Sequence, residues 1–300
     1  EIMKKILVVG SSNVDITHIG KNFPDEGQTL TADNSYISLG GKGLNQAVAV
    51  KRLSNTEVLF ISVTGDDYLS EYVISGLKKE NINTKYVRNI EGKKTGSALI
   101  FVNKLKNNHI SVSPEANLFF GDKELNSLKK ISSDVSIILL QQEIPFKINI
   151  QILEIAKKFN ILTIYDPGPP TKNKNLDYLK YVDFFTPNKH EAEYLLGFKI
   201  DGKELESAKK LREFGAKNVI ITLGKKGLVY SGEFDKFFNP NIVESIDPVG
   251  SGDCFNGALS AMLNKGENIL DSINFAQKAA SLSTTKKGAS QSFPFLNQIN

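Results

Sequence analysis

The sequence predicts an α/β fold with a central, mostly parallel sheet and helices on both faces. Three observations carry this. Short apolar runs such as Ile6-Leu7-Val8-Val9 and Ile137-Ile138-Leu139-Leu140 are continuous rather than alternating, as in strands covered on both sides. Helical patterns separate these runs, and strand–helix alternation favours a parallel sheet. The 300 residues, 40% hydrophobic and 23% charged, allow one large core with at most a small appendage.

In order along the chain, the first strand, Ile6 to Val9, ends at Gly10. The turn Gly10-Ser11-Ser12-Asn13 lacks the G-x-G-x-x-G spacing of dinucleotide sites. Asn13 and Asp15 follow at the carboxyl end of that strand, the edge where open α/β sheets bind ligands. Asp15 also suits a turn residue bonded to its own backbone. From Ile16 to Leu39 the chain is broken by Gly20, Pro24 and Gly27, with short runs at Thr29-Leu30-Thr31-Ala32 and Tyr36-Ile37-Ser38-Leu39. Together with Ser97 to Val102 and Ile110-Ser111-Val112, they predict a small β lid from about 16–39 and 95–113, set apart from the main sheet. Its exposed apolar face suits a lid over a ligand or a contact with a second subunit in a C2 dimer.

Gly40-Gly41-Lys42-Gly43-Leu44-Asn45-Gln46-Ala47 then leads into a helix. Lys42 and Asn45 supply donors to a polar ligand, although a tight turn before a closely packed helix fits the glycines equally. The run is not a Walker A loop, because no matching Gly-Lys-Ser/Thr follows. Val58 to Ile61 is a strand and Tyr68 to Glu80 a helix; Ile137 to Leu140 is a strand and Ile148 to Asn160 a helix. Leu162 to Tyr165 is a strand ending at Asp166-Pro167-Gly168. Phe184-Phe185-Thr186 is a short strand ahead of a helix through Glu191-Ala192-Glu193, and Val219 to Thr222 is a strand ahead of Gly224-Lys225-Lys226-Gly227. Asn13, Asp15, Glu143, Asp166, Asn188, Thr222 and Asp247 all fall at strand ends. Each alone suits a turn or cap, but their repetition on one edge marks a ligand site.

The stretch Asp247-Pro248-Val249-Gly250-Ser251-Gly252-Asp253 carries the chemistry. Phe255, Ala258, Leu259 and Met262 after it fall at helical spacing, so Gly250, Ser251 and Gly252 open a helix. A glycine-rich helix start suits an anion. Asp253 beside an anion pocket makes sense as a base that takes a proton from a hydroxyl attacking a phosphoryl group. On this stretch alone, an acidic residue stabilising an ordinary helix start fits as well.

The remaining composition excludes several classes. The net charge of +4 comes from scattered lysines, and the mixed-charge run Lys123 to Lys130 and the loop Lys172 to Lys174 read as solvated surface, so no nucleic-acid partner is expected. No apolar run is long enough to cross a membrane. The N-terminus does not read as a signal peptide, and Met3 suggests that Glu1-Ile2 are not native. A lone cysteine, Cys254, points to a reducing, cytoplasmic compartment and to burial rather than nucleophilic work. His18, His109 and His190 are scattered with no zinc spacing, and no G-x-S-x-G elbow is present.

Six stretches in order resemble the PfkB carbohydrate kinases, also called the ribokinase family. They are Gly10 to Asp15, Gly40 to Ala47, Thr64-Gly65-Asp66-Asp67, Thr186 to Glu193, Thr222 to Gly227, and Asp247 to Asp253, within a resemblance running from Ile6 to about Pro294. The resemblance implies a single ribokinase-like domain over residues 1–300, a three-layer α/β/α fold with a small β lid. It implies a cytoplasmic, ATP-dependent sugar kinase, working as a homodimer through the lid. The sugar-contacting pattern is that of members phosphorylating the primary hydroxyl of D-ribose. Nucleosides, fructose, deoxyribose or sugar acids are the alternative substrates, and a non-catalytic sugar-binding protein is the reading from another class.

Residue by residue, the resemblance implies a sugar site of Asn13, Val14, Asp15, Gly41, Lys42, Gly43, Asn45 and Glu143. Asp253 is then the base, with Gly250, Ser251 and Gly252 as the anion hole. ATP is implied at Asn188, Thr222, Leu223, Gly224, Lys225, Lys226, Gly227, Gly252 and Gln277. Potassium is implied at Asp247, Val249, Ser283, Lys286, Gly288 and Ser292, with Mg²⁺ near Asn188 and Glu191. Ser251, Pro248-Val249, Gln142 and the turn Tyr165-Asp166-Pro167-Gly168-Pro169 depart from the family's commoner residues without removing an expected catalytic group.

Overall fold

A computed structural model describes residues 4–105, 107–172 and 174–299; Glu1, Ile2, Met3, Lys106, Asn173 and Asn300 of the segments considered above lie outside the described residues. The strands are β1 (Lys5–Val9), β2 (Asn13–Ile19), β3 (Asn34–Gly40), β4 (Val58–Thr64), β5 (Val87–Asn89), β6 (Gly96–Val102), β7 (Asn108–Ser113), β8 (Val135–Gln141), β9 (Leu162–Asp166), β10 (Phe184–Phe185), β11 (Asn218–Thr222), β12 (Leu228–Ser231) and β13 (Asp235–Phe238). The helices are α1 (Lys42–Leu53), α2 (Tyr68–Lys79), α3 (Asp122–Ile131), α4 (Phe146–Lys158), α5 (Lys189–Leu196), α6 (Glu204–Arg212), α7 (Ser251–Lys265) and α8 (Ile269–Ser283).

Among the described residues, nine strands form the main sheet in the order β13-β12-β11-β10-β9-β8-β1-β4-β5. Pairing is parallel from β11 through β5, and β12 and β13 add an antiparallel edge. The continuous apolar runs have the cause inferred for them. In β1, Leu7 and Val9 pack with α3, α4, α5 and α6, while Ile6 and Val8 pack with α1, α2, α7 and α8. All seven residues of β4 are buried. The result is a three-layer α/β/α sandwich with a hydrophobic core on each side of the sheet.

Local chemistry fixes the helix starts. Asp67 accepts from the Ser70 N–H at 3.0 Å to cap α2, and Asn268 accepts from the Asp271 N–H at 2.9 Å to cap α8. Asn188 and Glu191 form a reciprocal capping box on α5.

A second sheet has the order β3-β2-β6-β7, with β2 and β6 parallel and the outer pairs antiparallel. It corrects the expected lid in two respects. Thr29 to Ala32 is not a strand: Gly20 to Asp33 is connecting chain, with Gly27 at φ 75°. Asn13 and Asp15 lie within lid strand β2 rather than in a turn of the main sheet. Strand register puts Asp15 and Thr17 on one face of this sheet with Ala98, Val112, Tyr36, Ile100 and Ile110. Tyr36, Ile110 and Val112 are exposed there. Elsewhere in the molecule, α6, β5, β12, β13 and α8 are elements the sequence patterns did not single out.

Candidate active site

The site lies where α1 and α7 begin, at the carboxyl ends of β1, β8 and β9. Gly41, at φ 87°, starts α1, and Gly43 brings its backbone against β1. A Cβ on Gly43 would come within 2.5 Å of the Gly10 carbonyl carbon, so no larger residue permits this approach. The Lys42 N–H donates to Glu143 Oε2 at 2.8 Å, and the Ser11 hydroxyl donates to the same oxygen. Glu143 is thereby tied to the start of α1.

The lid contributes Asn13 and Asp15. Asn13 Oδ1 accepts from Asn117 Nδ2 at 2.8 Å. Burial, and then the nearby Glu143 carboxylate, push the Asp15 carboxyl up to about 6. Gly40 on the neighbouring strand leaves room for it, because a Cβ there would lie 2.1 Å from Asp15 Oδ1.

Asp253 sits in the first turn of α7, which begins at Gly250 with φ 76°. Its side chain is buried and held from α1: Asn45 Nδ2 donates to Oδ2 at 3.0 Å and Gln46 Nε2 to Oδ1 at 3.0 Å. Burial pushes the Asp253 carboxyl up to about 7, against the pull of Lys42, and the Asp166 carboxylate adds to the rise. Lys42 Nζ lies 3.0 Å from Asp166 Oδ2 and 3.9 Å from Asp253 Oδ1. Burial works against the Lys42 charge, but Asp166, Asp253, Glu191 and Glu143 outweigh it and hold the ammonium above its ordinary range. A buried carboxylate with a raised proton affinity, next to a helix start, can accept a hydroxyl proton while the first-turn N–H groups face an anion.

The other predicted residues group as follows. Asn188 and Thr222 are adjacent, bridged in parallel, with the Thr222 N–H donating to Pro187 O at 3.0 Å. Leu223 to Gly227 forms a closed turn after β11, with Leu223 N–H to Gly227 O at 2.8 Å and Gly227 N–H to Gly224 O at 3.0 Å. Lys226 turns toward Asp201, 3.6 Å away, and Lys225 is exposed. Gln277 on α8 is anchored through Nε2 to Asn239 O at 2.9 Å. Glu191 spends Oε2 on the Asn188 N–H at 2.8 Å. Burial and then Asp166 push Glu191 up to about 7, with Lys42 pulling the other way.

Asp247 joins two loops. Its Oδ1 accepts from the Val249 N–H at 3.1 Å and its Oδ2 from the Gly288 N–H at 2.9 Å. Lys286 lies in the turn that closes α8, its N–H reaching Ser283 O at 3.5 Å. The Ser283 hydroxyl bonds Ala280 O and the Ser292 hydroxyl bonds Ala289 O, both inside their own turns. Ala289 packs on Gly250, where a Cβ would meet its Cα at 3.0 Å. Among the described residues, no group of three or more His, Cys, Asp or Glu side chains is arranged for a metal ion.

Sequence patterns missed Gln46, Asn117, Gln141 and Asn256. Gln46 bridges Asp253 and Asp166, and its Oε1 accepts from Gln141 Nε2 at 2.8 Å. Asn256 lies one helical turn beyond Asp253, and that spacing was the available signal. Asn117 had none, since it reaches the site from a turn far along the chain. Cys254 is buried, and its thiol is raised well above the usual range by burial, as suits an inert core residue.

This fold and this site define a phosphotransferase with a hydroxyl acceptor. The chain belongs to the pfkB family of carbohydrate kinases, whose profile matches residues 3–296. It is 35% identical to a ribokinase of Schizosaccharomyces pombe, over 99% of this chain and 97% of that protein. It is 32% identical to a deoxyribokinase of Salmonella typhi, over 98% and 97%. The Arabidopsis thaliana ribokinase complexed with ribose and ATP superposes with a TM-score of 0.89 at 28% identity, covering 99% of this chain and 98% of that one. No helix among the described residues is long and apolar enough to cross a membrane.

Proposed function

We propose that the enzyme transfers the γ-phosphoryl group of ATP to the primary hydroxyl of D-ribose, forming D-ribose 5-phosphate and ADP. The observation that carries this is Asp253: a buried carboxylate, oriented by Asn45 and Gln46, in the first turn of a glycine-started helix. Asp253 accepts the hydroxyl proton as the oxygen attacks phosphorus and the bond to the ADP oxygen breaks. The N–H groups of Gly250 and Gly252 at the start of α7 stabilise the charge on the phosphoryl oxygens, whereas the Ser251 N–H, expected among them, is bonded to Pro248 O at 3.2 Å. Asn13, Asp15, Gly41, Lys42, Asn45 and Glu143 supply the mixed donors and acceptors that sugar hydroxyls require. Asn188, Thr222 to Gly227 and Gln277 line the nucleotide side.

Glu191, with one oxygen outside its capping bond, and Asn188 are the residues of this chain suited to the hydration shell of a Mg²⁺ carried by ATP, which would neutralise phosphate charge. For potassium, the loops joined by Asp247 offer carboxylate, carbonyl and hydroxyl oxygens, the donor set of a hard cation. Asp247, Val249, Ser283, Lys286, Gly288 and Ser292 would hold it, several through backbone carbonyls. The exposed apolar residues on the Asp15 face of the lid support a homodimer in which two lids cover each other's sites. Dependence on ATP supports a cytoplasmic location.

Steady-state assays with ribose, 2-deoxyribose, fructose, adenosine and pseudouridine test the reading. Ribose is expected to give the highest kcat/KM. The similarity to a deoxyribokinase makes 2-deoxyribose the discriminating competitor, and its preference over ribose overturns the sugar assignment. No turnover on any of them overturns the kinase reading for a sugar-binding role.

A further inference from the structure

Asp166 ends β9 and is 3% exposed. Its Oδ2 collects three donors: Lys42 Nζ at 3.0 Å, Gln46 Nε2 at 3.1 Å and Asn256 Nδ2 at 3.3 Å. Its Oδ1 accepts from the Gly168 N–H at 2.9 Å, which fixes the plane of the carboxylate. Two of these donors also reach Asp253. Gln46 Nε2 is shared almost equally, at 3.0 Å from Asp253 Oδ1, whereas Lys42 Nζ stands 3.9 Å away. One cation and one amide are therefore divided between two carboxylates from different elements, and Asp166 holds the nearer claim on the cation.

We propose that Asp166 is a positioning residue for Asp253: it draws the Lys42 ammonium to its own side and shares the Gln46 amide, keeping the base out of a direct ion pair. This rests on Asp253 being the base. A carboxylate closed onto an ammonium is a weaker proton acceptor. Lys42 left without Asp166 would turn to Asp253, whose Oδ1 already stands 3.9 Å from Nζ. The charged groups that act on Asp253 come from three elements: Lys42 from α1, Asp166 from β9 and Glu191 from α5; Glu143, after β8, acts on Lys42, and Asp15, from β2, is raised by Glu143. Lys42 is the single cation of this set, so its position decides the balance among them.

Asp166→Asn keeps the shape and the acceptor for Gly168 while removing the charge. The acid limb of the kcat/KM profile is expected to move down by about one pH unit as Lys42 closes on Asp253. The plateau kcat should fall about tenfold because the base is weaker, while KM for ATP changes less than about twofold. In a Lys42→Met background the same substitution should move the limb much less. Asp166→Ser, which removes the charge with a smaller group, is read in the same way if the asparagine variant does not fold. A limb that stays in place while kcat falls, or an equal shift with and without Lys42, overturns the proposal in favour of a structural role. Asp253→Asn separates the two readings. Near-normal turnover in that variant removes the base assignment itself; its loss of turnover, with an unmoved limb in Asp166→Asn, removes only the role of Asp166.

Discussion

The Asn117 carboxamide donates to Asn13 Oδ1 at 2.8 Å, joining a lid strand to a turn 104 residues further along the chain. The same side chain accepts from the Ser12 N–H at 3.0 Å and donates to the carbonyls of Ser12 and Pro114. It is a buried clip between lid and body. Asn117→Ala leaves the Ser12 N–H without its acceptor, at a cost of about 1–3 kcal/mol in stability. It also frees Asn13, so KM for the sugar should rise about tenfold with kcat little changed. Thermal unfolding and steady-state kinetics read the two effects separately, and an unchanged KM removes Asn117 from the binding argument.

Activity should rise with pH as Asp253 loses its proton, with the acid limb of kcat/KM centred near its raised value of about 7. Asp253→Asn should lower kcat by about three orders of magnitude and leave ATP binding measurable by calorimetry. A limb near pH 4 would mean that the base is not held in the buried environment described.

Stability has its own pH dependence. Asp15, Glu191 and Asp253 are raised on folding to about 6, 7 and 7. Each folded value lies above the unfolded one, so the contribution is complete below about pH 4 and declines as pH rises through 6 to 7. The thermal midpoint of the ligand-free protein should fall between about pH 4 and pH 7, and Asp15→Asn should flatten the lower part of that fall, below about pH 6. A midpoint that rises over this range contradicts the linkage.

Two neighbouring glycines should fail differently. Gly43→Ala forces a Cβ to 2.5 Å from backbone, at a cost of about 1–3 kcal/mol or more. Gly40→Ala meets the Asp15 carboxylate instead, 2.1 Å away, and should raise KM for the sugar more than it lowers the melting temperature. Equal effects on both readouts would remove the distinction between a packing glycine and a site glycine.

Replacing K⁺ by Na⁺ should reduce kcat, and Asp247→Asn should abolish the difference between the two ions. The carboxylate also joins Val249 to Gly288, so the variant should lose about 1–2 kcal/mol of stability in either salt. Activity indifferent to the cation would sink the potassium assignment.

The parallel strands and the two glycine-led helices were legible because burial on both faces and close backbone approach leave residue-level marks, as in Val58 to Ile61 and in Gly41 and Gly43. β12, β13 and α8 escaped notice because their patterns are ordinary and only their neighbours define them. Asp253 was legible as a carboxylate misplaced beside an anion site. The support beneath it was not: Gln46, Gln141 and Asn256 are commonplace amides in sequence, and they become a network only when α1, β8, β9 and α7 converge. Thr29 to Ala32 has the composition of a strand, but Gly20, Pro24 and Gly27 leave it in connecting chain with no partner strand in the sheet.

The lid's central pairing has a consequence for how the enzyme is made. β2 and β6 lie side by side in parallel, with Asn13 opposite Gly96, so neither half of the lid is complete without the other. Parallel strands far apart in the chain close slowly. During synthesis, the second edge of β2 must wait for β6 to emerge, by which time β1 and β4 are available to pair in the body. β2 can pair with β3 as soon as both are made, but its other edge stays open until β6 emerges, an unpaired strand edge exposed to aggregation while the chain is still growing.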